Sequence, residues 1–421
     1  MSLPFEISLD LALGGPGAIP KASYDAALKE ADAALAWLKS QKLELFEVVE
    51  RTDDIAAAKA VADQWKDNSS DIAVLGIGGS SLGGQALKAI AKADHKPRVT
   101  FHDNPDPWSW QRSMAGFDLK TTRFVVISKS GGTAETLFQA ITAADAIDKA
   151  GGGKYLKHHF AAITEPKKSV LTEFADSMGA PKLDHPLGIG GRYSVLSMVG
   201  VLPALLMGLD VARLRAGARV VRDSFLGASS AASATSAVGA ALHHALAKDG
   251  KLTHTVMWNY ADRLKTLAAW WQQLWAESLG KDGKGTSPVG AVGPVDQHSQ
   301  LQLFRDGPND ALYTIITPDT KGHGLAAPVD RAKSLGLDYL VGKTMGDLVA
   351  AEAKASAETL SRNKRPVRQI RVPTIDEYSL GALMMHFMLE TILMGRLMGV
   401  DPFDQPGVEE SKVLTRKYLA E

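Results

Sequence analysis

The chain has 421 residues, a length that suits two or three domains. Its 47 basic and 47 acidic side chains cancel, so the basic surplus that a nucleic-acid or anionic-membrane binder needs is missing. Hydrophobic residues at 45% and charged residues at 22% describe a globular chain with a core, and the absence of cysteine excludes disulfide staples, zinc–thiolate sites, iron–sulfur clusters and a thiol nucleophile.

The first residues lack the basic start, apolar run and small-residue cleavage site of a secretory signal. The longest apolar candidate, 195–209, falls short of the roughly 18 residues a membrane span requires, so a cytoplasmic protein is expected. Helical patterns come first, at 21–41 and 52–67. Four short β-type runs follow, at 71–75, 98–101, 123–127 and 160–163, with helical patterns at 83–91, 107–114 and 133–150 between them. Alternation of this kind predicts a parallel sheet covered on both faces. A second series begins with helical stretches at 195–226, broken near Pro203, and 233–248. Strands are expected at 253–257, 311–316 and 367–372, with helices at 262–280, 344–363, 375–399 and 406–420. The pattern is that of two α/β sandwich domains with a boundary near 193–210 and no proline- or serine-rich linker between them.

Residues 75–84, Leu-Gly-Ile-Gly-Gly-Ser-Ser-Leu-Gly-Gly, leave a strand and open a helix. Glycines there let the backbone approach a ligand, and the helix start offers unpaired N–H groups suited to a phosphate. A plain strand-to-helix turn would look the same. A dinucleotide fingerprint fails because Ser81 occupies the third glycine position, although Asp103 sits about where a ribose-binding acid would lie. The phosphate loop of the common ATPases and GTPases is absent. A second turn, Ser128-Lys-Ser-Gly-Gly-Thr-Ala-Glu-Thr136, also follows a strand and starts a helix, with hydroxyls at Ser128, Ser130 and Thr133. Two such turns can converge at the carboxyl edge of one sheet, which favours a phosphate cradle.

A third stretch, Gly188-Ile-Gly-Gly-Arg-Tyr-Ser-Val-Leu-Ser-Met-Val-Gly200, resembles the GGR-[FY]-S-x-x-S-x-x-G signature of the glucose-6-phosphate isomerase (phosphoglucose isomerase) family. Gly76–Gly84 and Ser128–Thr136 resemble the same family's GIGGS and SK-S/T loops. Gln272–Ser278 resembles its QQL-x-x-ES segment, Gln297-His298 its QH element, and Phe403–Lys412 its FDQ-x-GVE-x-x-K signature. Ser81 departs from the aspartate or tyrosine of many relatives, Pro406 from the usual tryptophan, and 280–293 matches loosely.

The resemblance implies two three-layer αβα sandwich domains of the sugar-isomerase (SIS) type with mainly parallel sheets, plus a C-terminal helical arm. The divisions expected are an N-terminal helical segment at 1–45, the first SIS domain at 46–200, the second at 201–402 and the C-terminal helix at 403–421. The activity implied is the exchange of glucose 6-phosphate and fructose 6-phosphate, in glycolysis and gluconeogenesis. It needs neither metal nor organic cofactor, and the family works as a homodimer.

Carried onto this sequence, the family's base is Glu277. Trp270 and Leu274 share its helical face, and desolvation against them would raise its pKa towards neutrality. Arg192 would stabilise the developing oxyanion. His298, reaching in from the other subunit, would open the sugar ring, a step suited to an imidazole. Lys412 would assist it, on a stripe with Val408 and Leu419 that turns inwards. Gly79, Ser80, Ser128, Lys129 through its N–H, Ser130, Thr133 and Gln405 would hold the substrate. Each of these residues alone has an ordinary reading as an exposed or core side chain. A non-catalytic SIS regulator of sugar phosphates and a mannose-6-phosphate or bifunctional isomerase are the alternatives at this level.

Overall fold

The computed structural model describes residues 2–248 and 252–421. Among the described residues ten strands form two sheets: β1 (Glu6–Ser8), β2 (Asp71–Leu75), β3 (Arg98–His102), β4 (Thr122–Ile127), β5 (Phe160–Thr164), β6 (Lys182–Asp184), β7 (His254–Asn259), β8 (Ser287–Val292), β9 (Ala311–Pro318) and β10 (Val367–Val372). The first sheet runs β3-β2-β4-β5-β6 and is parallel throughout. The second runs β1-β10-β9-β7-β8 and is parallel except where β1 meets β10. The central strands β2, β4 and β5 are buried along their whole length, as uninterrupted apolar runs between two helical layers should be.

Strand order is the feature that positions a site. In each sheet the earliest parallel strand lies inside, with its successor on one side and the later strands on the other. The chain therefore reverses direction between β2 and β4, and again between β7 and β9. Open parallel sheets bind ligands at the carboxyl end of such a reversal, because the loops there diverge and leave a crevice. Both hydroxyl-rich turns sit at the first reversal: the register pairs Leu75 with Val126, so Gly76 and Ile127 leave the sheet side by side.

The expected helices are present with shifted ends, including Lys21–Ser40, Ala134–Ile147, Thr235–Lys248 and Met345–Arg362. The helical region after 195 is two helices, Met198–Leu206 and Val211–Gly227. Pro203 lies inside the first, and the break comes after it, where Gly208 takes a left-handed φ of 72° and Asp210 caps the second helix through the Arg213 N–H. Strands β1, β6 and β8 were not anticipated. β8 carries Pro288 and Gly290, both poor strand formers, and is tolerated because it lies at the sheet edge.

Helix Glu377–Met398 is apolar all round and buried from Ser379 to Gly395, so it is the centre of the core. It carries one buried polar cluster: Arg368 donates from Nη1 to both Glu390 carboxylate oxygens at 2.7 and 2.9 Å, and His243 and His386 flank the same carboxylate. Helix Lys265–Leu279 links the two sheets. Its Trp270, Trp271, Leu274 and Trp275 are buried, Thr266 donates to the Gln85 carbonyl beside the first sheet, and Gln272 donates to the Pro288 carbonyl on β8.

Candidate active site

The linking helix ends at the mouth of the first reversal, and Glu277 lies on its last turn with its side chain 30% exposed. Two groups touch the carboxylate. Gln273, one turn earlier, donates to Oε1 at 2.9 Å, and Arg192 Nη1 stands 3.2 Å from Oε2. Trp270 and Leu274, expected to desolvate it, lie in the core instead, and the acid's recorded partners are polar.

Arg192 is buried to 1% side-chain exposure in the short 3₁₀ turn Gly191–Leu196, and its neighbours explain why it is fixed. Nε donates to Ser278 Oγ at 2.7 Å, Nη1 to Gln405 Oε1 at 2.7 Å as well as to Glu277, and Nη2 to the carbonyls of Pro402 at 2.6 Å and Asp404 at 3.0 Å. A guanidinium has five N–H donors. All five are occupied, and they tie the glycine-arginine turn, the linking helix and the 402–405 segment into one unit. Tyr193 reinforces it, its hydroxyl lying 2.9 Å from Ser278 Oγ and 3.1 Å from the Pro402 carbonyl.

The glycine-rich turn joins this unit by direct backbone contact. A Cβ on Gly79 would lie 2.2 Å from the Gly191 carbonyl carbon and 2.7 Å from the Arg192 nitrogen, so only glycine lets the two turns meet. Gly78, at a φ of 58°, is backed by the Gln273 amide, which is also the Glu277 partner. Ser80 is half-buried at the end of this turn. Ser81 is fully buried and accepts from Gln85 Nε2, which also donates to Asp103 at 2.5 Å; the acid considered for a ribose is engaged in holding this turn.

In the second turn the hydroxyls divide into two kinds. Ser128 is 1% exposed, and its Oγ lies 2.8 Å from Thr133 Oγ1 while accepting from the Gly131 N–H at 3.1 Å. It shapes the loop, contrary to the expectation that it contacts a ligand directly. Ser130 is exposed, and Thr133 precedes helix Ala134–Ile147, whose first-turn N–H groups have no partner within the helix. The Lys129 carbonyl is held by the Glu165 N–H and by Thr164 Oγ1, and its ammonium stands 3.8 Å from the Glu165 carboxylate.

His298 and Lys412 stand apart. His298 is exposed after a short turn that follows β8, and among the described residues nothing joins its side chain to Glu277 or Arg192. Its neighbour Gln297 faces inwards, donating to Tyr260, the Glu352 carbonyl and Ser356. Lys412 lies on helix Glu409–Ala420, which buries no residue at all, and pairs with Glu409 at 2.6 Å. The inward stripe expected for Lys412 is therefore incorrect for this chain: Leu419 is 79% exposed, and Val413, Leu414 and Tyr418 are exposed with it.

The structure thus brings together Glu277, Arg192, Gln405, Gly79 and the two turns, and leaves His298 and Lys412 outside the cluster. Gln273 and Ser278 complete it without having been assigned a role. Both lie within the quoted Gln272–Ser278 segment, and the spacing of four between Gln273 and Glu277 was the available signal.

Comparison with known proteins adds a second line of evidence. The family model for phosphoglucose isomerase matches residues 47–421. The glucose-6-phosphate isomerase of Rubrobacter xylanophilus is 38% identical over 373 residues, covering 86% of each chain. Among solved structures, a hypothetical protein of Thermus thermophilus superposes with a TM-score of 0.88 at 33% identity, covering 99% of this chain and 100% of that one. A glucose-6-phosphate isomerase of Chlamydia trachomatis gives 0.76 at 22% identity, covering 93% and 78%, a likeness of fold.

Proposed function

The chain belongs to the phosphoglucose isomerase family and is an aldose–ketose isomerase that exchanges D-glucose 6-phosphate and D-fructose 6-phosphate; from this premise we propose that Glu277 moves the proton and that the two turns hold the phosphate. One observation carries the assignment: the Gly79 turn, which neighbours the phosphate loop, is in backbone contact with Arg192, and Arg192 is in contact with Glu277. A single hexose phosphate can then be anchored at one end and reacted at the other.

With the ring open, Glu277 removes the proton from C2. The electrons of that C–H bond form a C1–C2 double bond, and negative charge collects on the former aldehyde oxygen. The proton on the C2 hydroxyl passes to that oxygen, Glu277 returns its proton to C1, and the ketone results. Arg192 stabilises the enediolate charge. Since its donors are saturated, the oxyanion must take over an Nη1 proton now shared with Gln405 and Glu277. Gln405 is exposed and can yield its place at little cost, so it both holds the arginine at rest and contacts the sugar oxygens. Binding of the remote phosphate by Ser80, Ser130, Thr133 and the loop N–H groups fixes C1 and C2 against the base. Ser128 supports this from beneath.

His298 is proposed to open the ring from a second copy of the chain in a homodimer, with Lys412 assisting. Their exposure on one chain, and the uncovered apolar side of the last helix, support that reading. Glycolysis and gluconeogenesis in the cytoplasm are the proposed setting.

The test is a coupled assay of fructose 6-phosphate conversion. Glu277→Gln is expected to lower kcat by about 10²–10⁴-fold with hexose-phosphate binding largely kept. Near-normal turnover would remove Glu277 from the base role.

A further inference from the structure

At the amino-terminal edge of the first sheet, opposite the active site, lies a cavity of about 740 Å³. That is within the range of small-molecule sites. One wall is Arg123 at the start of β4, 8% exposed. Four other buried arginines, Arg192, Arg215, Arg222 and Arg368, each meet a carboxylate. Arg123 does not. Its Nη1 faces the carbonyls of Lys120 and Thr122, each at 3.1 Å, and His159 Nδ1 at 3.2 Å; Nη2 donates to the Asn68 carbonyl at 2.9 Å. Arg365 is likewise held by carbonyls, but it does not line this cavity.

The donor inventory shows what is left over. Of the five N–H groups on Arg123, Nε–H and one on Nη2 meet no acceptor among the described residues. Nε and Nη2 form one edge of the guanidinium, the edge that takes two oxygens of a carboxylate or phosphate side by side. The Nε is open to solvent and is a donor that an anion entering the cavity can meet. The acid on the rim, Asp118, is engaged with the Lys120 N–H at 3.0 Å and Thr121 Oγ1 at 3.1 Å, and no contact joins it to Arg123. Lys120 and His158 add basic character to the lining.

Trp65, Leu119, Ile147 and the half-exposed ring of Tyr155 supply apolar walls, with the Gln64 amide beside His158 on the rim. The mouth is formed by the kinked glycine turn 148–152, in which Gly151 takes a left-handed φ of 82°. None of these residues belongs to the active site. β4 separates the two, since its far end leads into the Ser128 loop, about 20 Å away at 3.3 Å per residue.

We propose that this cavity is a second ligand site, which binds a small organic anion with a flat apolar body and a carboxylate or phosphate group seated on Arg123. The body lies between Trp65, Leu119 and Tyr155, and the anionic group satisfies the open edge of the guanidinium.

The test is calorimetric titration of the full chain with phenyl phosphate and with phenylacetate, in a saturating mixture of the two hexose phosphates so that the active site is filled. Benzyl alcohol serves as the uncharged control. At least one anion should bind with a stoichiometry of one per chain, and benzyl alcohol should bind at least about tenfold more weakly. Arg123→Gln should weaken the anion by a similar factor. Because that variant removes a buried group, Ala150→Trp is the companion. Ala150 is exposed on the lining, and a large ring there fills the cavity without disturbing the core. It should abolish binding while leaving isomerase activity unchanged. Failure of both anions to bind the native chain up to millimolar concentrations would overturn the proposal. So would binding that persists in Ala150→Trp, or benzyl alcohol binding as well as the anions.

Discussion

Arg192 does two jobs with one guanidinium, and its saturated donors separate them. Three of its five bonds, to Ser278 and to the Pro402 and Asp404 carbonyls, hold the chain together; the two from Nη1 face the reacting carboxylate and Gln405. Arg192→Lys offers three donors from a point and cannot reproduce the planar fork. It is expected to lower kcat/KM by about 10²–10³-fold, the cost of losing an oxyanion donor, and also to lower the urea midpoint. Gln405→Ala removes an exposed partner and leaves every structural bond in place. Its KM should rise with kcat held within several-fold and the urea midpoint unchanged. Steady-state kinetics beside equilibrium unfolding distinguishes the two.

At the scale of the elements, the site depends on a close approach between two turns that lie far apart in the sequence. Gly79→Ala would place its new methyl 2.2–2.3 Å from the Gly191 carbonyl group, a backbone neighbour that cannot rotate away. A loss of about 1–3 kcal/mol in unfolding free energy is expected, with a fall in kcat as Arg192 shifts; denaturant curves and the isomerase assay check both. The two turns were legible in the sequence because glycine and serine clusters directly after apolar runs have a physical reason to be there. Their adjacency followed from the alternation of strands and helices. The contact between Gly79 and Gly191 was not legible, since close backbone approach leaves no residue type except glycine as its trace. Glu277 is singled out by the motif around it, whereas the partners of its carboxylate were misjudged: helical spacing places Trp270 and Leu274 on its face but cannot show that Arg192 comes across from another turn. The last helix was misread for a related reason. An apolar stripe through Val408 and Leu419 predicts that something covers it, not that the covering surface belongs to the same chain. Strand β8 was missed because Pro288 and Gly290 hide an edge strand from any propensity argument.

The molecule as a whole holds several imidazoles away from water. Burial pushes His102 down to about 4 and lowers His159, His185, His243 and His386, the last two despite the Glu390 carboxylate beside them. Glu390 is pushed up by burial but held well below the carboxylate range by Arg368 and the two histidines. In the unfolded chain these imidazoles titrate near 6.5. Below that pH the unfolded state takes up protons that the folded state refuses, so the stability they contribute is complete above about 6.5 and drains away as pH falls towards 4. Each such group adds up to about 1.4 kcal/mol per pH unit within its window. The melting temperature should therefore drop between pH 7 and pH 5, and His102→Gln should make that drop shallower; a flat profile over this range would contradict the reading.

The bare C-terminal helix has a consequence for how the protein behaves when it is scarce. A 12-residue helix with no buried side chain gains nothing from its own domain, and isolated helices of that length are marginal in water. If Lys412 acts on substrate, its helix must first be ordered by another molecule. Turnover per chain should then fall when the enzyme is diluted and recover when it is concentrated again, with the hexose phosphates shifting the midpoint to lower concentration. A specific activity that stays constant down to picomolar enzyme would show that the arm does its work alone.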